Sequence, residues 1–216
     1  MSDLLKDVLC VLGSFSSADD GQRRLRAEYL AHLAQRPDGI WRDGPPAHLT
    51  ASCFVLDPGA SAVLLTLHRK GGFWVQFGGH LEPADSNLAG AALREATEES
   101  GLASLVLLPG PVGLHRHALS GAFGRCREHL DVTYAAIAAA GSMPRVSAES
   151  KDVAWWPIDA LPAGAVPDLA DRLEQVRALV LGPESGQPTS SDSSIGASRA
   201  PVEKPSRKPR ARSVPG

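Results

Sequence analysis

The chain lacks the marks of a secreted, membrane-spanning or zinc-finger protein. Its three cysteines, Cys10, Cys53 and Cys126, are odd in number, far apart and without a CxxC spacing. A disulfide framework and a structural zinc site are therefore not expected, and a reducing, cytoplasmic compartment fits. No apolar run approaches the ~20 residues needed to span a bilayer, so no membrane partner is expected. The opening MSDLLKDVLCVLGSF has an apolar stretch but no basic leading region, because Asp3 and Asp7 offset Lys6. It reads as a short amphipathic helix, not a secretion signal. No internal repeat is visible. A strong overall charge is missing too: the net charge is −2, but residues 183–216 carry +3 and the remainder −5. An acidic body argues against a nucleic-acid surface, and only the basic tail offers weak, salt-sensitive contact with polyanions.

What is present is enough for one domain. The 216 residues are 43% hydrophobic, which allows a sizeable core plus appendages. Residues 1–47 read as a helical extension packed on the domain, with Leu25, Tyr29, Leu30 and Leu33 at helical spacing and Pro37 as a stop. This stretch is also a candidate homodimer contact. Residues 48–182 form the domain proper. LTASCFVLD and SAVLLTLH read as strands on either side of an Asp57-Pro58-Gly59 turn, and FWVQF alternates before Gly78-Gly79. A strand interrupted at Pro109-Gly110-Pro111 follows, then HLDVTYAAIAAA, with His129, Asp131 and Thr133 on one face and Leu130, Val132 and Tyr134 on the other. VAWWPID is a short strand, and PDLADRLEQVRALVLG a helix with Leu169, Leu173, Val176 and Val180 on one side. From residue 183 onward, Ser, Pro and basic residues dominate without apolar period, and a disordered tail dispensable for catalysis is expected. The order is no βαβ repeat, so a mixed sheet between helices is the generic expectation.

The most informative stretch is Gly78 to Leu102, GGHLEPADSNLAGAALREATEESGL. From Ser86 on it reads as a helix, with Asp85 or Ser86 as N-cap and Gly101 as the stop. Glu95, Glu98 and Glu99 stand at i, i+3 and i+4, within an arc of roughly 100°. Leu88, Ala92 and Ala96 form a separate apolar face. Three Glu on a helix are most often a solvated acidic face. Carboxylates this crowded repel each other, and one neighbouring Arg94 cannot neutralise three; a hard divalent cation with oxygen ligands can. Gly79 would let the backbone approach such an ion closely. Metal held by carboxylates suits a diphosphate, since it offsets charge on phosphate oxygens and lowers the pKa of a water that attacks phosphorus.

The stretch resembles the signature of the Nudix hydrolases through Gly79, Arg94, Glu95, Glu98, Glu99, Gly101 and Leu102. Asp85 stands where the pattern has its first Glu, eight residues instead of seven separate Asp85 from Arg94, and Ala96 takes an aliphatic position. The resemblance implies an α/β/α sandwich around a mixed β-sheet and a Mg²⁺-dependent pyrophosphohydrolase, with Mn²⁺ as a substitute metal. Its small-molecule substrate would be a nucleoside diphosphate derivative. The implied metal ligands are Gly79, Glu95, Glu98 and Glu99. Arg94 would orient the carboxylates, Glu98 would act in catalysis, and a further acid outside the motif would serve as ligand or base. Glu149 is the candidate for that acid, with Asp131 and Glu128 as alternatives. Asp85 itself is expected to cap the helix and stay away from the metal.

Other residues stay open. His80, His115, His117 and His129 crowd the same region, but no zinc spacing is visible and no metal is assigned to them. Trp74, Trp155 and Trp156 are candidates for stacking on a base and equally ordinary core residues; Trp41 reads as a packing anchor. Two rival readings remain: a Nudix-fold isoprenyl diphosphate isomerase, disfavoured by the intact acids and by the lack of a cysteine near the motif, and a non-catalytic nucleotide-binding module.

Overall fold

The computed structural model describes residues 1–119, 124–148 and 150–182. Two helices come first, α1 (Asp3–Ser14) and α2 (Asp20–Gln35), followed by a 3₁₀ turn at Pro37–Ile40. Ser2 caps α1 through the Leu5 N–H, and Asp19 caps α2 through the Gln22 N–H. The strands are β1 (Ala47–Leu56), β2 (Ala62–His68), β3 (Trp74–Val75), β4 (Phe77–His80), β5 (Leu105–Leu107), β6 (Gly113–Ala118), β7 (Glu128–Ala138) and β8 (Ser150–Pro157). Helix α3 (Leu88–Ser100) lies between β4 and β5, and α4 (Leu169–Leu181) ends the described chain.

All eight strands join one mixed sheet with β1 near its centre. β1 runs parallel to β7, in register from Ala47↔Glu128 to Leu56↔Ile137, and antiparallel to β2 and β4. β5 and β6 both pair with β7, on either side of the Pro109-Gly110-Pro111 break. β8 pairs with β2.

Alternation along the strands divides the core. Leu49, Ala51, Cys53 and Val55 of β1, with Leu130, Val132 and Tyr134 of β7, face α1, α2 and α3. Phe54, Leu56 and Ala135 face Leu169, Leu173 and Val176 of α4. Helices thus cover both faces of a mixed sheet, the α/β arrangement expected. The second face is apolar at only one end. Towards the N-terminal ends of β1 and β7 it carries His48, Thr50 and Ser52 beside their partners His129, Asp131 and Thr133. These six include His48, Thr50, Ser52, Asp131 and Thr133 as buried polar groups, and such groups need partners.

One boundary differs from expectation. α3 starts at Leu88, with Asn87 as N-cap: its side-chain oxygen accepts the Gly90 N–H at 2.7 Å. Asp85 and Ser86 lie in the loop before it. Gly101, at φ 69°, stops the helix, a conformation that costs an L-residue ~1–2 kcal/mol and glycine almost nothing. Leu88, Ala92 and Ala96 pack on the core as their spacing requires.

Candidate functional site

The carboxylates are positioned by α3 and β4 together. β4 pairs with β1 through Ser52↔Gly78 and Ala51↔Gly79, which sets the two glycines against the helix. Glu99 is buried and accepts the Gly78 N–H at 3.0 Å. At Gly79 a Cβ atom would stand 2.5 Å from Glu95 Oε1, so only glycine leaves room for that carboxylate. Glu98 is the outermost of the three, with 60% of its side chain exposed.

Arg94 is the hub. Its Nε and Nη2 donate to both oxygens of Asp85, at 2.9 and 3.0 Å. Its Nη1 reaches Glu95 at 3.0 Å and Glu98 at 3.3 Å, and Nη2 also donates to the His80 carbonyl at 3.1 Å. The hydrogen bond to Asp85 and the surrounding carboxylates hold its guanidinium firmly protonated. Burial alone would raise the Asp85 carboxyl, but the Arg94 bonds and the Glu82 N–H outweigh it and hold it below its ordinary value.

Asp85 therefore does not cap α3. Residues 81–87 turn back instead of continuing the helix, and the fork of Arg94 spans the gap between Asp85 and Glu95.

The remaining acids divide. Glu128 forms an ion pair with Arg116, which also holds Glu28. Asp131 is buried and accepts hydroxyl hydrogen bonds from Thr50 at 2.9 Å, Thr133 at 2.8 Å and Ser52. Glu149 lies outside the described residues. Trp74 packs edge-on against Trp156 and Trp155 donates to the Ser142 carbonyl, so these rings serve the core or its rim. Trp41 packs on the α1–α3 side.

The histidines are where sequence reading fell short. His115 and His117 stack at 5.0 Å, and His115 Nε2 meets Asp168 at 2.7 Å. His48, His80 and His129 form a triangle with ring centroids 5.1–5.3 Å apart. Cys126 Sγ lies 3.9 Å from His80 Nε2. A cysteine thus does stand beside the motif, although 46 residues separate the two. Burial, reinforced by neighbouring charges, pushes His80 down to about 4 and His129 to about 3, so these two rings are neutral at pH 7, and burial lowers His48 and His117 in the same direction.

The carboxylate set fits a hard divalent cation: the donors are oxygens, and the glycine leaves a cradle that a Cβ would fill. Ligand atoms within 4.8 Å of one another, among the described residues, are found instead at His48, His80, Cys126 and His129. Here the carboxylates are drawn onto Arg94 and the Gly78 N–H.

Among curated proteins, none matches the sequence. Among solved structures, an Ap4A hydrolase from C. elegans aligns with 16% identity and a TM-score of 0.51, covering 62% of this chain and 97% of that one. A Nudix-family hydrolase from Clostridium perfringens aligns with 23% identity and a TM-score of 0.49, covering 60% and 97%. At 16% identity the likeness to the Ap4A hydrolase speaks for the fold alone. The sequence itself matches the family model described as NUDIX domain over residues 46–178, more than half of its length. On that match the chain belongs to the Nudix hydrolase family.

Proposed function

We propose that the chain is a Mg²⁺-dependent pyrophosphohydrolase that splits the diphosphate bond of a nucleoside diphosphate derivative. The observation that carries this reading is the carboxylate set around Arg94: Glu95, Glu98 and Glu99 gathered at one end of α3 against Gly78 and Gly79. Glu95, Glu98 and Glu99, with the Gly79 carbonyl, would hold the metal. Bound Mg²⁺ would offset phosphate charge and supply hydroxide at neutral pH.

The protein's own residues do the positioning. Arg94 fixes the Glu95 and Glu98 carboxylates, and Asp85 fixes Arg94. The Gly78 N–H fixes Glu99. The four-way contact of Arg94 limits how far the carboxylates move when a diphosphate enters, which is what an efficient site for phosphoryl chemistry needs. Asp131 accepts from three hydroxyls, which occupies most of its lone pairs, and Glu149 is kept as the candidate base. Neighbouring folds include hydrolases of Ap4A and of dihydroneopterin triphosphate by their names; both substrates contain phosphoanhydride bonds, as this reading requires.

The isomerase reading gains one observation, Cys126 beside His80. The intact glutamates still favour hydrolysis. The test is product analysis on a panel of nucleotide sugars, dinucleoside polyphosphates, ADP-ribose, nucleoside triphosphates and isopentenyl diphosphate with Mg²⁺, for the native chain and for Glu98→Gln and Glu99→Gln. Cleavage at the phosphoanhydride by the native chain, lost in both folded variants, is the expected result. Isomerised isoprenyl diphosphate, binding without turnover, or full activity in the variants would overturn the reading.

A further inference from the structure

Four side chains from three distant segments meet on the polar end of the sheet. His48 opens β1, His80 ends β4, His129 opens β7, and Cys126 precedes it. The pairings His48↔His129 and Thr50↔His80 bring the three rings together. Their ligand atoms and Cys126 Sγ all lie within 4.8 Å of one another. A tetrahedral ion with Zn–N bonds of ~2.0–2.1 Å would need neighbouring nitrogens roughly 3.4 Å apart, so the widest pair would have to close by up to roughly 1.4 Å.

Two features point to a missing ligand. His48 is fully buried, yet its Nε2 has no hydrogen-bond partner; His129 is half-buried, but its Nε2 is shielded from solvent and likewise unpartnered. A buried polar atom without a partner is destabilising; His32, His115 and His117 also carry one, but here two such nitrogens lie together with a thiol at ligand distance. Furthermore, His48 Nδ1 lies 3.0 Å from the Pro45 carbonyl. Donation of the Nδ1 proton there fixes the tautomer and turns the Nε2 lone pair inward, as is usual for metal-ligating histidines.

We propose that His48, His80, Cys126 and His129 form a second metal site that takes one cation of the Zn²⁺ class. Three imidazoles and a thiolate select such a cation over Mg²⁺, which takes oxygen donors. Binding forms three N–metal bonds and one S–metal bond and releases the Cys126 thiol proton to solvent. The site is linked to the carboxylates by a single residue: the His80 ring would hold the ion while its carbonyl accepts Arg94 Nη2 at 3.1 Å. The ion would thereby fix β4, β1 and β7 where Arg94 is held. The inference does not depend on the hydrolase reading.

The test uses the full chain stripped with a chelator and then titrated with Zn²⁺, or with Co²⁺ as a spectroscopic probe, in the presence of excess Mg²⁺. The expected result is one equivalent of Zn²⁺ per chain, and a Co²⁺ spectrum with intense tetrahedral bands and a thiolate-to-cobalt charge-transfer band. Cys126→Ser should lose that band and weaken binding by about tenfold or more, and His129→Gln should weaken binding similarly. Glu99→Gln should bind Zn²⁺ as the native chain does. His129→Gln decides the matter if Cys126→Ser fails to fold by circular dichroism. The site is overturned if the native chain gives only an octahedral Co²⁺ spectrum, if native affinity persists in folded Cys126→Ser or His129→Gln, or if Glu99→Gln abolishes uptake.

Discussion

Asp85 stands behind Arg94 in the loop before α3. It spends both oxygens on Arg94, and Arg94 in turn holds Glu95 and Glu98. Asp85→Asn keeps a similar shape but removes the charge, so a charge-assisted fork becomes a weaker neutral contact. The expected cost is ~1–3 kcal/mol of stability, with a higher Mg²⁺ requirement for turnover. The sign with pH follows from the direction of the shift. The folded carboxyl sits below its ordinary value, so its stabilisation is present above about pH 4 and lost as pH falls through the folded pKa. Thermal melts from pH 7 down to pH 3 should fall less steeply for Asp85→Asn than for the native chain, and parallel slopes would remove the assignment. Gly79 gives a second test at this scale. Gly79→Ala places a Cβ 2.5 Å from Glu95 Oε1 and must push that carboxylate aside. Titrating Mg²⁺ against turnover should show a requirement about tenfold higher, with circular dichroism unchanged.

At the scale of elements, α3 joins the site to the core. Its apolar face buries Leu88, Ala92 and Ala96 while the other end presents the acids. Because Asn87 and not Asp85 accepts the Gly90 N–H, Asn87→Ala should cost about 1 kcal/mol in chemical denaturation. Asp85→Ala should lower activity as well, since it releases Arg94; equal activity in the two variants would argue against this division. β4 is short, yet it carries much of the site. Gly78 must be glycine because a Cβ there would stand 2.6 Å from Ser52 Cβ and 2.9 Å from the Ala51 carbonyl, which are fixed in β1.

At the scale of the whole molecule, the family match begins at residue 46, but the core begins earlier. Leu4, Leu5, Val8 and Leu12 of α1 and Tyr29 and Leu33 of α2 are buried in the cluster that also contains Leu49 and Ala92. Leu12 is fully buried, so Leu12→Ala should cost ~2–5 kcal/mol in urea unfolding, as a core truncation and not as a surface change. A cost near zero would mean that α1 is only loosely attached. Among the described residues no helix is long and apolar enough to cross a membrane. The basic tail from residue 183 lies outside the described residues.

The sequence by itself determined what short-range periodicity encodes. The spacing of Glu95, Glu98 and Glu99 fixed their common helix face, because 3.6 residues per turn leaves no alternative. Alternation in β7 fixed which face carries His129, Asp131 and Thr133. The helical stop at Gly101 was legible from a single residue. Tertiary structure decided whatever depends on contacts between distant segments. No spacing announces that Asp85 folds back onto Arg94, because the loop's direction is set by what its ends pack against. Nor does any local pattern join His48, His80, Cys126 and His129. They meet because β1 pairs in parallel with β7 and antiparallel with β4, and strand register is chosen by burial of a whole face and not by the residues that happen to meet on the other.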